Sequence, residues 1–360
     1  MKAWMLHDIN DLRIEDVKMP VIEKNEVLVK VKAAGICGSD IPRIYKTGAH
    51  THPLIPGHEF SGIVEAVGEE VDSKWQNQRV GIFPLIPCKN CIPCQNKQYE
   101  LCRNYSYLGS RTNGGFAEYV AVPEWNLISL PDEVTYEAAA MLEPMAVAAH
   151  AMRRAAISSD KTVAICGLGT IGLLLLMSLM KDARDTYGDT ASILDSKRIF
   201  VIGNKDFQRQ TVINMGLPEE FYFDSRSGNA GSWLMEQTDQ QGVDIFFECI
   251  GKNETFVQAV NNTAPSGKVV LVGNPYSDMC MEKAAYWKIL RNQLTLIGTW
   301  NSSFIHDMED DWHYVINMLS RKMIVPESLI THRLPLEGLE RGLHIMRDKT
   351  EDYVKIMVNM

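Results

Sequence analysis

Residues 162–172, Thr162-Val163-Ala164-Ile165-Cys166-Gly167-Leu168-Gly169-Thr170-Ile171-Gly172, read as a short apolar strand that breaks into a glycine-rich turn and then a helix. A short apolar run bounded by glycine suits a strand buried on both faces, and the run from Thr170 to about Arg184 is long enough for a helix. Gly167 permits a tight turn, Gly169 lets a pyrophosphate approach the backbone, and Gly172 allows close helix–strand packing. The first helical turn, with Thr170 and Ile171, presents free N–H groups and a positive dipole end to phosphates. Val163 to Met180 are eighteen uncharged residues, the lower limit for a membrane span. Three glycines cut that run where the strand pattern gives way to the helix pattern, so it predicts a buried strand-turn-helix of a dinucleotide fold.

Outward from this point the patterns alternate. Arg198–Ile202, Asp244–Cys249, Lys268–Val272 and Leu294–Gly298 read as strands, and Asp206–Met215 as a helix. Alternation with continuously apolar strands predicts an α/β doubly wound parallel sheet. Before residue 145 the runs are short and of strand type: Val27–Lys32, Phe60–Val67 and Phe116–Val122, divided by Gly, Pro and Asn turns. They predict a β-barrel or sandwich. Tyr136 to Ala151 is Ala- and Met-rich and reads as a helix, and beyond Trp300 a Met/Trp helix precedes a closing strand, Tyr353–Val358.

A length of 360 residues suggests two or three domains at about 150 residues each. With 46% hydrophobic and 22% charged residues the composition is globular rather than disordered. Lys plus Arg total 36 against 45 Asp plus Glu, a net charge of −9 with no block of one sign. That balance argues against nucleic acid or an anionic membrane as partner and leaves room for a local basic pocket for a small anion. The opening residues carry acids from Asp8 onward and no apolar h-region, so the expected compartment is the cytoplasm.

Four of the eight cysteines crowd into Cys88-x2-Cys91-x2-Cys94-x7-Cys102. Thiolates are soft donors suited to tetrahedral Zn²⁺, and a closed four-cysteine shell leaves no position for water or substrate, so its role is structural. Two disulfides, an iron–sulfur site and a nucleic-acid ribbon are the other readings; the loop's cations are only Lys89, Lys97 and Arg103. A second set is Cys37 in Gly35-Ile36-Cys37-Gly38-Ser39-Asp40, His58 in Gly57-His58-Glu59-Phe60, and Glu143 in Met141-Leu142-Glu143-Pro144. A mixed S/N/O shell leaves a coordination position open, as a catalytic zinc requires. By spacing alone the signal is weak, since an isolated cysteine is usually core and a His-Glu pair is often just a polar turn.

Taken in order with Gly114-Gly115-Phe116-Ala117-Glu118-Tyr119 and the glycine turn, these motifs resemble the zinc-dependent medium-chain alcohol and polyol dehydrogenases along essentially the whole chain. The stretches Cys37–His50 and Gly57–Gly62 are most similar to the branch of galactitol-phosphate and sorbitol dehydrogenases. The resemblance implies a GroES-like β-barrel catalytic domain, residues 1–147 with 301–360, carrying a structural-zinc lobe at 84–105. It implies a Rossmann domain at 148–300, with the catalytic zinc in the cleft between the two and two zinc ions per chain. Cys37, His58 and Glu143 would hold the catalytic ion, and Glu59 would be either a fourth ligand or a group acting through water. Such an ion lowers the pKa of a substrate hydroxyl, so that hydride can leave to nicotinamide. Ser39 matches the hydroxyl that receives the alcohol proton. The usual relay histidine is replaced by Pro42, so the proton route runs through Glu59, His50 or water.

The remaining expectations concern ligands. Val272-Gly273-Asn274 and Gly298-Thr299-Trp300 end strands and are candidate nicotinamide contacts. Lys355 matches a basic position that can reach the cofactor phosphates, or else is a surface lysine. Arg43, Lys46, His50, His52 and Arg111 are cations that could clamp a substrate phosphate, with Phe116 beside the substrate. The expected substrate is a polyol or polyol phosphate of the galactitol-1-phosphate or ribitol-5-phosphate kind; sorbitol, butanediol or threonine is the alternative, and a scaffold without turnover the non-enzymatic one. Gly203-Asn204-Lys205, with Arg209 a turn later, ends the second strand without an acid, which favours NADP. A strand at Ala191–Leu194 would instead make Asp195 the ribose ligand and NAD the cofactor. Asp206 is expected to cap the helix that follows. The resemblance also implies a homodimer or homotetramer formed through edge strands near Leu294–Thr299.

Overall fold

A computed structural model describes residues 1–180, 198–275 and 277–360, so the alternative register at Asp195 lies outside the described residues. The chain divides into two compact units, residues 1–146 with 302–360, and residues 147–301.

The first unit is built on a seven-stranded sheet. Its path runs Ile330–Pro335, Lys355–Asn359, Glu26–Ile36, Glu59–Val67, Arg79–Ile82 and Leu127–Ser129, and Tyr119–Pro123 also pairs with Glu26–Ile36. Along Glu26–Ile36 the period is two: Val27, Val29 and Val31 are buried while Lys30 and Lys32 face outward. From Ala33 to Ile36 every residue is buried, because here the strand is covered on both faces. The valines meet Phe60, Val64, Val80 and Val358 in one core. Phe116 belongs to that core as well. It is fully buried, and a Cβ on Gly57 would come within 2.7 Å of its ring, so the ring packs against the Gly57 turn. The strand expected from Phe116 starts at Tyr119, because the N–H groups of Gly114, Gly115 and Phe116 go to the carbonyls of Ile55, Gly57 and Pro56. The expected helix Tyr136–Ala151 is two helices, Tyr136–Ala140 and Leu142–Ala155. Pro144 has no N–H to continue the first and sits comfortably in the first turn of the second.

The second unit holds a six-stranded, all-parallel sheet in the order Tyr222–Asp224, Ile199–Gly203, Val163–Cys166, Val243–Glu248, Thr263–Leu271, Thr295–Gly298. The chain starts at Val163–Cys166, winds to one edge, then returns to build the other half. The switch therefore falls between Val163–Cys166 and Val243–Glu248, and ligands of such sheets bind beyond the carboxyl ends at that switch. The uncharged run divides as expected into a strand, Val163–Cys166, and a helix, Thr170–Met180. No described helix is long and apolar enough to cross a membrane. One cap differs from expectation. Lys205 occupies the N-cap and Asp206 is the first residue of helix Asp206–Asn214, its carboxylate turned to Arg226.

Candidate metal centres and dinucleotide turn

Cys37 follows strand Glu26–Ile36, and Glu59 opens the antiparallel neighbour, with Gly35 directly opposite it. A Cβ on Gly35 would lie 2.4 Å from Glu59 Oε2, so only glycine lets that carboxylate fold back across the strand. As a result Cys37 Sγ, a ring nitrogen of His58 and a Glu59 carboxylate oxygen lie within 4.8 Å of one another. Asp40 is fully buried behind them. It accepts from the Cys37 N–H at 3.0 Å and from the Arg43 guanidinium. Its Oδ1 is 3.4 Å from His58 Nδ1 without hydrogen-bond alignment, and that nitrogen has no hydrogen-bond partner among the described residues. A buried imidazole beside a thiol and a carboxylate fits zinc's preference for mixed S, N and O donors.

Lys355 answers differently from either sequence reading. Its ammonium is buried in the first unit, donating to Glu59 Oε2 at 2.5 Å and to the Ile36 carbonyl at 3.2 Å. Desolvating an ammonium is costly, and the Glu59 carboxylate supplies the compensation, so Lys355 is neither a surface lysine nor a phosphate ligand. Glu143, in the first turn of Leu142–Ala155, accepts from Tyr107 Oη at 3.2 Å. Burial pushes its carboxyl up to about 7, with the Glu59 charge adding to the shift and His58 and Lys355 opposing it. Tyr107 meets the His58 ring edge-on, centroids 5.8 Å apart. Burial and the Glu143 charge hold its phenol well above 10, which keeps it a donor. Ser39 Oγ donates to Cys37 Sγ at 3.3 Å.

Sequence reasoning missed Asp40, Tyr107 and the Glu59–Lys355 pair. Asp40 stands three residues after Cys37 in the motif already singled out, and its position was the available signal. Among the cations, Arg43 is engaged with Asp40. Arg111 stacks on Tyr105 at 4.4 Å, and Tyr105 meets Tyr107 at 6.3 Å, two rings from His58. Lys46, His50 and His52 are exposed.

In the four-cysteine lobe, Cys91 Sγ lies 3.5 Å from Cys94 Sγ and 3.9 Å from Cys102 Sγ, and all four thiols are free. Tetrahedral coordination with bonds of 2.3 Å places sulfurs about 3.8 Å apart, so the spacing fits zinc and not a disulfide. The Arg103 and Cys94 N–H groups pull the Cys91 thiol down to about 6, toward the thiolate that a metal needs. The lobe has little core of its own: Ile92 and Leu101 are exposed, and Tyr99 and Lys89 rest on the Trp125 ring. Cys91→Ser is therefore expected to remove one zinc per chain and lower the unfolding midpoint by roughly 5–10 °C. Metal analysis and a thermal melt followed by tryptophan fluorescence check it.

In the second unit, Gly167 has φ +101° and a Cβ on it would sit 2.5 Å from Ile250 Cγ1. A Cβ on Gly172 would lie 2.0 Å from the Gly167 carbonyl oxygen, whereas Gly169 faces open space with nothing within 4 Å. Backbone is thus bare at Gly169, just ahead of helix Thr170–Met180, which fits a pyrophosphate. Val272 and Gly273 donate to the Glu248 carbonyl, the Asn274 backbone lies against Gly251, and the Gly298 carbonyl accepts from Arg154. Trp300 is exposed. Beyond Gly203 and Asn204, Lys205 lies over the Phe207 ring and Arg209 pairs with Glu219 at the surface. Arg226, which sequence reasoning missed, pairs with Asp224 and Asp206.

A glycine-turn parallel sheet in the same chain as a half-buried thiol and buried imidazole and carboxylate donors is the composition of a zinc-dependent oxidoreductase that uses a nicotinamide dinucleotide. Residues 23–132 match the alcohol dehydrogenase GroES-like domain, and residues 188–321 match the zinc-binding dehydrogenase family. Galactitol 1-phosphate 5-dehydrogenase of Escherichia coli (strain K12) is 33% identical over 334 residues, 92% of each chain. The crystal structure of galactitol-1-phosphate dehydrogenase from Escherichia coli superposes with TM-score 0.89 at 31% identity, covering 100% of both chains. A zinc-binding dehydrogenase of Sinorhizobium meliloti 1021 bound to NADP superposes with TM-score 0.87 at 26% identity, covering 100% of this chain and 99% of that one. The chain belongs to the zinc-dependent medium-chain alcohol dehydrogenase family.

Proposed function

We propose that this chain is a dehydrogenase of polyol phosphates, exchanging hydride between a secondary hydroxyl and NADP. The observation that carries the reading is the Cys37–His58–Glu59 donor group, with Glu143 linked to it through Tyr107, and Arg111 two rings from His58. When bound there, zinc supplies a Lewis acid that makes the substrate hydroxyl acidic, and nicotinamide supplies the hydride acceptor. Cys37, His58 and Glu143 would hold the metal, with the Asp40 carboxylate 3.4 Å behind the imidazole. Ser39 relays the hydroxyl proton, accepting it as its own hydroxyl proton passes on to water. Lys355 holds Glu59 in place, and Tyr107 keeps Glu143 from swinging free. Arg111, already stacked and so preorganised, binds the phosphate. The four-cysteine lobe holds a second, structural zinc.

NADP is favoured because the strand Ile199–Gly203 ends without an acid and is followed by Lys205 and Arg209. Assembly with a second copy is supported by the outer edge of Thr295–Gly298, where Tyr286, Trp287, Leu290 and Leu296 are exposed. The test is a panel of initial rates on polyols and their phosphate esters with both cofactors. A phosphate ester should lead its parent polyol by at least about 10-fold in kcat/KM, the loss expected when a phosphate clamp has nothing to hold. NADP⁺ should outperform NAD⁺, with Lys205→Ala narrowing the ratio. Faster turnover of sorbitol or butanediol than of every ester defeats the phosphate reading, and a preference for NAD⁺ defeats the cofactor reading.

A further inference from the structure

Glu248 closes strand Val243–Glu248 at the switch point of the parallel sheet and is 2% exposed. A carboxylate so deeply buried needs partners, and it is held by neutral donors from the loop that follows. It accepts from the Ile250 N–H at 2.8 Å, the Gly251 N–H at 2.9 Å and the Thr255 hydroxyl at 2.8 Å. Consecutive backbone N–H groups turned onto one anion form a nest. Here the anion belongs to the protein, and the nest is the loop Cys249–Lys252. The main-chain carbonyl of the same residue accepts from Val272 and Gly273, both at 2.9 Å, at the end of the next strand.

These two loops and the glycine turn are packed backbone to backbone. A Cβ on Gly273 would lie 2.3 Å from the Gly251 nitrogen, and one on Gly251 would lie 1.8 Å from the Asn274 carbonyl oxygen. Ile250 in turn fills the space beside Gly167. Displacing Ile250 and Gly251 therefore displaces both the Gly167 turn and the Val272–Asn274 segment, which are the surfaces that face a dinucleotide in this sheet.

We propose that Glu248 is a positioning residue for the dinucleotide: its carboxylate sets the Cys249–Lys252 loop, and through it the shape of the two neighbouring cofactor-facing loops. It touches neither cofactor nor substrate in this role. Its effect is on cofactor affinity and not on the chemical step. The inference rests on dinucleotide binding by this unit and is independent of the choice between NADP and NAD.

Glu248→Gln tests it in the full-length, zinc-loaded protein. Glutamine keeps the shape and one oxygen for the three donors that converge on Oε1, but it removes the charge and sets an amide NH2 against the Gly251 N–H, which also donates to Oε2 at 3.0 Å. Kd for NADPH and for NADH, read by nicotinamide fluorescence, should rise about 10-fold for both, while zinc content and kcat at saturating cofactor stay within about twofold of the parent. Thr255→Val removes one donor and leaves the acid in place, so its Kd should rise by about threefold, and it decides the matter should the glutamine variant not fold. A Glu248→Gln protein with a lowered melting temperature but unchanged Kd for both dinucleotides overturns the proposal and makes Glu248 a framework residue. A parent chain that binds neither dinucleotide overturns the binding on which the proposal rests.

Discussion

Cys37→Ser, and separately His58→Ala, is expected to reduce kcat by at least about 10³-fold while the melting temperature stays within a few degrees of the parent. The reason is a separation of duties within the first unit. Its core is Val27, Val29, Val31, Phe60, Val64 and their neighbours, none of which is a metal donor. Cys37 lies at the end of a strand already secured by three neighbouring strands. Removing His58 still leaves Asp40 bonded to the Cys37 N–H and to Arg43, so no buried charge is stranded. Each variant should retain the structural zinc and lose the other. Metal analysis, kcat and a melt on the same preparations decide it: stability losses as large as that of Cys91→Ser would mean the open donor group also supports the fold.

Lys355→Met is expected to be the most destabilising single change, at about 3–5 kcal/mol. The substitution leaves the Glu59 carboxylate 1% exposed and without its cation. Removing one member of a buried pair strands the other, whereas removing both can approach neutrality. The double variant Glu59→Gln/Lys355→Met should therefore recover much of the loss, and denaturant midpoints for the parent, the two single variants and the double variant give the coupling. A change below about 0.5 kcal/mol in Lys355→Met would show that Glu59 finds another partner.

The sheet of the second unit was legible because its strands are continuously apolar and glycine marks the turn. Ile199–Gly203 and Val243–Glu248 lie within one residue of the expected strands. The donors Cys37, His58 and Glu59 were legible because short motifs carry them. Lys355 was not. Its strand reads Lys-Ile-Met-Val-Asn, in which a leading lysine suits a solvent end, and its partner is 296 residues away. Only the sheet order, which lays Lys355–Asn359 against Glu26–Ile36, brings them together. Tyr107 was missed for the same reason, since its two-residue strand Ser106–Tyr107 has no periodicity to read. Arg43 was assigned to an anion by charge alone, and the nearer buried acid, Asp40, holds it instead.

The insertion of Lys355–Asn359 between Ile330–Pro335 and Glu26–Ile36 has a consequence for the order of events during synthesis. Residues 147–301 are complete, as a self-contained unit, before the strand that pairs with Ala33–Ile36 has been made. Until then that edge is bare, and Glu59 lacks its ammonium. Domains that form during translation do so as their segments emerge. The four thiols from Cys88 to Cys102 span only fifteen residues and can capture an ion as soon as they leave the ribosome. Cys37, His58 and Glu59 emerge early as well, but Glu59 meets its buried partner Lys355 only after nearly the whole chain has been released.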